Sequence, residues 1–299
     1  MVNVRLRSEC VTCLLGKYLT RFLAGYPGED DRKKLEYMQR VLKIFAEAPV
    51  DVGGPVISRD IKRIQKEMYG FAEDFSREKL YYNGLMLGRE EELDQKVQKA
   101  DDPLRQALQY ALTGNYIDFG ALGNAVSEEK LSELIEAAGE IGFDEGEYQA
   151  LRKDLDQGKK LVYLTDNCGE IVTDKVLIRC LKRLYPGLDI TVIVRGTPVI
   201  NDATMEDAEQ VGLTEVVHVI GNGDSGIAGT RLEEISEEAR AEFEAADLIL
   251  SKGMGNYETL RKCGANVYYL FLCKCRMFAD MFKVEPLTGI LINDKNLED

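Results

Sequence analysis

Leu161-Val162-Tyr163-Leu164-Thr165-Asp166-Asn167-Cys168-Gly169-Glu170-Ile171 runs a short apolar segment straight into an acidic, oxygen-rich turn and the start of an amphipathic stretch. The apolar run predicts a buried strand and the stretch from Ile171 a helix. Working outward, short β-branched or aromatic runs at 161–165, 189–195, 216–220, 247–251 and 266–272 alternate with helical patterns near 171–184, 203–211, 231–245 and 256–262. That is a βαβ series, which predicts a parallel sheet covered by helices on both faces.

Before residue 158 the pattern is different. Leu14-Leu15, Tyr18-Leu19 and Phe22-Leu23 recur at helical spacing, as do Leu35, Met38, Val41, Leu42 and Phe45, and no convincing strand interrupts them. Pro103 and Ser127-Glu128-Glu129-Lys130 mark helix starts. The expected organisation is an all-helical domain over 1–157 and an α/β/α domain over 158–299.

The chain has 299 residues with 38 Lys and Arg against 52 Asp and Glu, a formal charge of −14. That balance argues against broad electrostatic binding to nucleic acid or anionic membrane, so neither is an expected partner. No run approaches the ~18 apolar residues that a spanning helix needs, and Met1–Arg7 lacks an apolar signal core, so a cytoplasmic protein is expected. Seven cysteines are an odd number at low density and fit thiols or metal ligands better than a secreted disulfide framework.

Every polar cluster in the α/β half follows a predicted strand. Asp166-Asn167-Cys168-Gly169-Glu170 follows the first, Gly196-Thr197-Pro198-Val199-Ile200-Asn201-Asp202 the second, and Gly221-Asn222-Gly223-Asp224-Ser225-Gly226 the third. Lys252-Gly253-Met254-Gly255-Asn256-Tyr257-Glu258 follows the fourth and Cys273-Lys274-Cys275 the fifth. Parallel sheets bind ligands beyond the carboxyl ends of their strands, so these clusters point to one site.

Two carboxylates and an amide carbonyl from Asp166, Asn167 and Asp202 suit a hard divalent cation, although each motif also reads as a helix cap. Lys252-Gly253-Met254-Gly255-Asn256-Tyr257 has the ingredients of a phosphate cradle, with glycines, a helix start and a lysine, without P-loop order. It also reads as a plain strand-to-helix turn. The loop at 221–226 fits a lid, a phosphate contact or a simple flexible turn. Cys10-Val11-Thr12-Cys13 has metal or redox spacing, which Cys273 and Cys275 could complete, or it is two small core residues. His218 in Val216-Val217-His218-Val219-Ile220 reads as a core or edge histidine rather than a catalytic one.

Taken in order, Cys10–Cys13, Gly114-Asn115-Tyr116-Ile117-Asp118-Phe119-Gly120, Asp166–Glu170, Pro198-Val199-Ile200-Asn201-Asp202-Ala203-Thr204 and Lys252–Glu258 resemble the DUF89 family of metal-dependent damage-control phosphatases. The resemblance is to its archaeal and bacterial branch with an N-terminal CxxC. It implies a helical domain on an α/β/α domain and hydrolysis of phosphomonoesters of sugars, such as fructose phosphates, or of damaged small metabolites. Mg²⁺, Mn²⁺, Co²⁺ or Ni²⁺ would be held by Asp166, Asn167 and Asp202.

The same resemblance assigns phosphate contact to Lys252 and makes Lys274 a second candidate. Gly253, Asn256, Asn115 and Asp118 join the substrate set, and Cys10, Cys13 and Cys275 a further metal or redox site. Asp166, Glu170 and Lys252 are the expected catalytic groups. Water activated by the metal is favoured over direct attack by Asp166, with Glu170 or Asp207 to orient it. The competing expectations are a cofactor-binding α/β enzyme such as a methyltransferase and a non-enzymatic cysteine–metal protein.

Overall fold

The computed structural model describes residues 6–70, 74–118 and 127–297. Among these, six strands form one sheet: β1 (Lys160–Leu164), β2 (Asp189–Val194), β3 (His218–Gly221), β4 (Leu248–Lys252), β5 (Val267–Leu272) and β6 (Gly289–Asn293). Their order is β3-β2-β1-β4-β5-β6. The first five are parallel, and β6 pairs antiparallel with β5. All five expected strands are present within two residues at each end, whereas β6 is an addition and makes the sheet mixed.

Alternation along β1 shows how the layers form. Leu161 and Tyr163 pack on one face with Ile190, Val192, Leu250 and Leu270; Val162 and Leu164 pack on the other with Ile193, Ile249, Tyr269 and Phe271. Successive strand residues point to opposite faces, so a run buried throughout must be covered twice. The second face is covered by α10 (Glu237–Ala245), α11 (Gly253–Leu260) and α12 (Arg276–Phe282), through Phe243, Tyr257 and Phe278. Ser236 caps α10 by accepting from the Ala239 N–H at 3.2 Å, which is why that helix begins later than its periodicity suggests.

The first face carries α8 (Glu170–Leu184), together with four helices that precede the sheet: α4 (Ser76–Lys99), α5 (Pro103–Gly114), α6 (Glu128–Glu136) and α7 (Glu145–Gln157). Leu93, Leu104, Leu108, Leu131, Tyr148 and Leu151 from these helices share one core with Leu161, Tyr163 and Leu248 of the sheet. α5 and α8 approach so closely that a Cβ on Gly114 would lie 2.2 Å from Thr173 Oγ1. By packing, the chain divides into two compact units at residue 75. Position 158 marks a change of secondary structure within the larger unit.

The smaller unit, up to Asp74, contains α1 (Ser8–Gly25), α2 (Asp31–Glu47) and α3 (Gly54–Tyr69). Asp30 caps α2, and Phe22 stacks on Tyr37 at 4.2 Å with Tyr69 edge-on at 5.1 Å. No helix among the described residues is long and apolar enough to cross a membrane.

The shared core makes a measurable demand. Leu108 is fully buried in it, so Leu108→Ala should lower unfolding free energy by about 2–5 kcal/mol. Urea unfolding followed at sheet tyrosines should shift with the helical signal. A sheet signal that stays in place would contradict a common core.

Candidate active site

The strand order reverses direction at β1: the chain moves outward through β2 and β3, then returns to place β4 on the other side. Crevices open beyond the carboxyl ends of strands at such points. Asp166 follows β1 here, and Lys252 and Gly253 stand at the β4–α11 junction.

Backbone pairing draws the 166–168 and 201–203 segments together beyond the sheet edge. The Cys168 N–H donates to Asn201 O at 2.7 Å, the Ala203 N–H to Asp166 O at 2.7 Å, and Asn167 bridges Asp202 in antiparallel fashion. Residues opposed across such a bridge project on the same side. Just before this pair, Ile200 holds φ at 49°. That is the left-handed region, which a β-branched residue enters only when its surroundings impose it. Asp166, Asn167 and Asp202 are thus gathered as the sequence pattern suggests.

Their oxygens divide cleanly. Asp166 Oδ2 accepts from Asn115 Nδ2 at 3.0 Å and Asn167 Nδ2 at 2.8 Å, while Asp202 Oδ2 accepts from Arg195 Nε at 2.6 Å. Asn167 Nδ2 also donates to Glu170 Oε2 at 2.8 Å, which turns its carbonyl away from that network. Among the described residues, Asp166 Oδ1, Asn167 Oδ1 and Asp202 Oδ1 accept no hydrogen bond. Two carboxylate oxygens and an amide oxygen without donors are the ligand set of a hard divalent cation. Gly253 permits the arrangement, since its φ is +80° and a Cβ there would lie 1.9 Å from Asp166 Oδ2.

Charge supports the same reading. Burial, then the neighbouring Asp202 and Glu170 carboxylates, hold the Asp166 pKa well above the ordinary range. Burial also raises Asp202, against the opposing pull of Arg195. Four buried carboxyl groups, on Asp166, Asp202, Glu170 and Asp174, share this region with two buried basic side chains, Lys252 and Arg195. A divalent cation would offset the mutual repulsion of such a carboxyl-rich group.

Lys252 is fully buried, and its ammonium donates to Ala111 O at 3.0 Å, Glu170 Oε1 at 2.6 Å and Asp174 Oδ1 at 2.6 Å. A lysine has three donors, so none remains for a phosphate. The expected phosphate contact is therefore a counter-ion here. Burial would lower its pKa, but Asp174 and Glu170 outweigh that and the net shift is upward. Asp174, also bonded by Tyr163 Oη at 2.7 Å, is raised to about 6 by burial against the pull of Lys252. Glu170 is equally engaged: Asn115 Nδ2, Lys252 Nζ, and the N–H and side chain of Asn167 all bond its carboxylate. It orders Asn167 and is not free to orient water. Asp207 closes a capping box with Thr204 and bonds Lys79 and Asn83, so it too is committed elsewhere.

The remaining expected residues sort as follows. Asn115 bridges Asp166 and Glu170 and accepts from the Leu272 N–H at 3.0 Å. Lys274 Nζ bonds Asn115 O and Asp118 Oδ2, both at 2.6 Å, and its charge lowers the Asp166 pKa against the larger effect of burial. Phe119 and Gly120, the end of that motif, lie outside the described residues. Asn256 donates to Thr165 O and Lys252 O and accepts from Arg195 and Thr230, so its amide braces the site.

Asn222 anchors the 221–226 loop by accepting from the Gly196 N–H at 3.0 Å, and His218 lies exposed on the edge strand β3. Cys10 and Cys13 stand on α1, and Cys275 occupies the position just before α12. No group of three or more His, Cys, Asp or Glu is gathered for a metal ion among the described residues. The cation candidates therefore rely on an amide as third ligand.

Two residues escaped the sequence reading. Arg195, at the end of β2, bonds Asp202, Gly229 O, Thr230 and Asn256 from a position 2% exposed. Asn83 of α4 accepts from the Gly169 N–H at 2.6 Å, bracing the turn after β1. An arginine closing an apolar strand beside the acidic clusters was the available signal for the first; nothing local marks the second.

Residues 6–287 match the model of the damage-control phosphatase ARMT1-like domain. An uncharacterised protein of Methanocaldococcus jannaschii is 32% identical over 97% of this chain and 96% of its own. A damage-control phosphatase of Archaeoglobus fulgidus is 30% identical over 90% and 92%. The crystal structure of a DUF89 family protein from Pyrococcus horikoshii superposes with a TM-score of 0.76 at 26% identity, covering 97% of this chain and 99% of the other. The chain belongs to the damage-control phosphatase ARMT1-like domain family, known also as DUF89.

Proposed function

We propose that this chain is a metal-dependent phosphatase that hydrolyses phosphomonoesters of small metabolites, among them sugar phosphates such as fructose phosphates and damaged phosphometabolites. The observation that carries the reading is the trio of donor-free oxygens on Asp166, Asn167 and Asp202, set among four buried carboxyl groups and two buried basic side chains. Those three residues would hold Mg²⁺, Mn²⁺, Co²⁺ or Ni²⁺. A cation bound there supplies charge neutralisation to the phosphoryl oxygens and lowers the pKa of a coordinated water.

The chain's own residues perform the rest. Glu170 and Asn115 orient the Asp166 and Asn167 side chains, and Lys252 holds the Glu170 carboxylate in place. Lys274 lies close enough to lower the Asp166 pKa and brings positive charge to the substrate side. Names of relatives that include "damage-control phosphatase" favour the same chemistry.

Three outcomes are expected. Mn²⁺ at a hundredfold excess over its Kd should raise Tm by roughly 5 °C or more, since such saturation contributes about 2.7 kcal/mol. Asp202→Asn should abolish that shift; a shift that persists in both Asp202→Asn and Asp166→Ala would rule out these ligands. In a screen of phosphorylated metabolites, hydrolysis should require divalent cation and fall at least ~100-fold in Asp166→Ala. Lys252→Met should lower Tm by about 6–20 °C, because it strands two buried carboxylates at a cost of ~3–5 kcal/mol.

A further inference from the structure

Arg195 is the one guanidinium among the described residues with a buried nitrogen lacking any hydrogen-bond partner. Nε donates to Asp202 Oδ2 at 2.6 Å, and Nη1 donates to Gly229 O at 2.9 Å, Asn256 Oδ1 at 3.1 Å and Thr230 Oγ1 at 3.3 Å. Nη2 has no acceptor; Asp166 Oδ1, at 3.7 Å, is too distant for a hydrogen bond.

The guanidinium is planar, so pinning Nε and Nη1 also fixes where Nη2 points. Its two N–H groups are therefore held in place before any ligand arrives. A buried donor left without an acceptor is disfavoured, and native structures keep one where a water, an ion or a functional partner completes it. Here it lies 3.7 Å from Asp166 Oδ1, one of the oxygens that would face a cation. Lys252, by contrast, has no hydrogen to offer.

We propose that Arg195 Nη2 is a donor to a phosphoryl oxygen of the substrate, making Arg195 a catalytic residue, with Lys252 confined to the counter-ion role. This rests on the phosphatase reading and adds the group that meets the anion. A tetrahedral oxyanion bound through one oxygen at the Asp166–Asp202 side presents its others to neighbouring donors, and a fixed arginine fork suits that geometry. The donor adds no reorganisation as charge develops on the phosphoryl oxygens.

The test uses orthophosphate binding by calorimetry on the full chain, with Mn²⁺ saturating, together with Mn²⁺ binding alone. Arg195→Lys keeps a positive charge beside Asp202 but lacks the fork. It should bind Mn²⁺ within about threefold of the unsubstituted protein and orthophosphate on the order of 10- to 100-fold more weakly. Thr230→Val, which removes one Nη1 partner and leaves Nη2 in place, should bind orthophosphate nearly normally.

Unchanged orthophosphate affinity in Arg195→Lys overturns the inference, as does a loss confined to Mn²⁺ affinity, which would make Arg195 only a brace for Asp202. A crystal structure of the unsubstituted protein with Mn²⁺ and tungstate gives a readout that does not depend on the variant folding. An oxyanion oxygen within ~3.2 Å of Nη2 supports the assignment, and one turned away overturns it. If the unsubstituted protein neither binds orthophosphate nor hydrolyses any phosphomonoester, the phosphatase reading falls as well. If it does both and Arg195→Lys matches it, only the arginine's role falls.

Discussion

The ammonium of Lys252, closed off from solvent between Glu170, Asp174 and Ala111 O, is the interaction on which the site depends. Taking a lysine and two carboxylates out of water is unfavourable unless each hydrogen and lone pair is placed. The consequence is rigidity that spreads outward. Glu170 is held by Lys252 and so holds Asn115 and Asn167; these two amides then hold Asp166. Each link reaches a residue from a different element, from α5, the turn after β1, α8 and β4. The charged core thus acts as the template on which four elements agree.

Much of the architecture was legible in the chain. Strand runs that are apolar on both faces, alternating with amphipathic helices, leave few topologies, and the acidic and glycine-rich turns mark which edge is functional. β6 was not legible because Ile290-Leu291-Ile292 is a short apolar run that fits strand or helix, and its antiparallel pairing comes from β5. The extent of the larger unit was hidden for a similar reason. Helical periodicity says that α4, α5 and α7 bury a face, not against what, and the partner is a sheet distant in sequence.

At the site, residue types were easier to read than roles. Asp166, Asn167 and Asp202 stand in recognisable turns, and their gathering follows from neighbouring strands. Lys252 looked like an anion contact because lysine beside glycines at a helix start usually faces solvent or ligand. Its direction was set by Glu170 and Asp174, whose spacing of four on α8 puts two acids on one face. Arg195 was overlooked because the acceptors of its Nε and Nη1 come from two loops and α11, which no local pattern reports.

Ile200 gives the site a further property. Its positive φ stores conformational strain one residue before Asn201 and two before Asp202, at the turn that aims the second carboxylate. A chain relaxed at that point would gain stability and lose the aim of Asp202, so thermal robustness and ligand geometry pull in opposite directions there. For anyone hardening this enzyme against heat, the turn at 200 is the place where a gain in melting temperature should raise suspicion about what has moved.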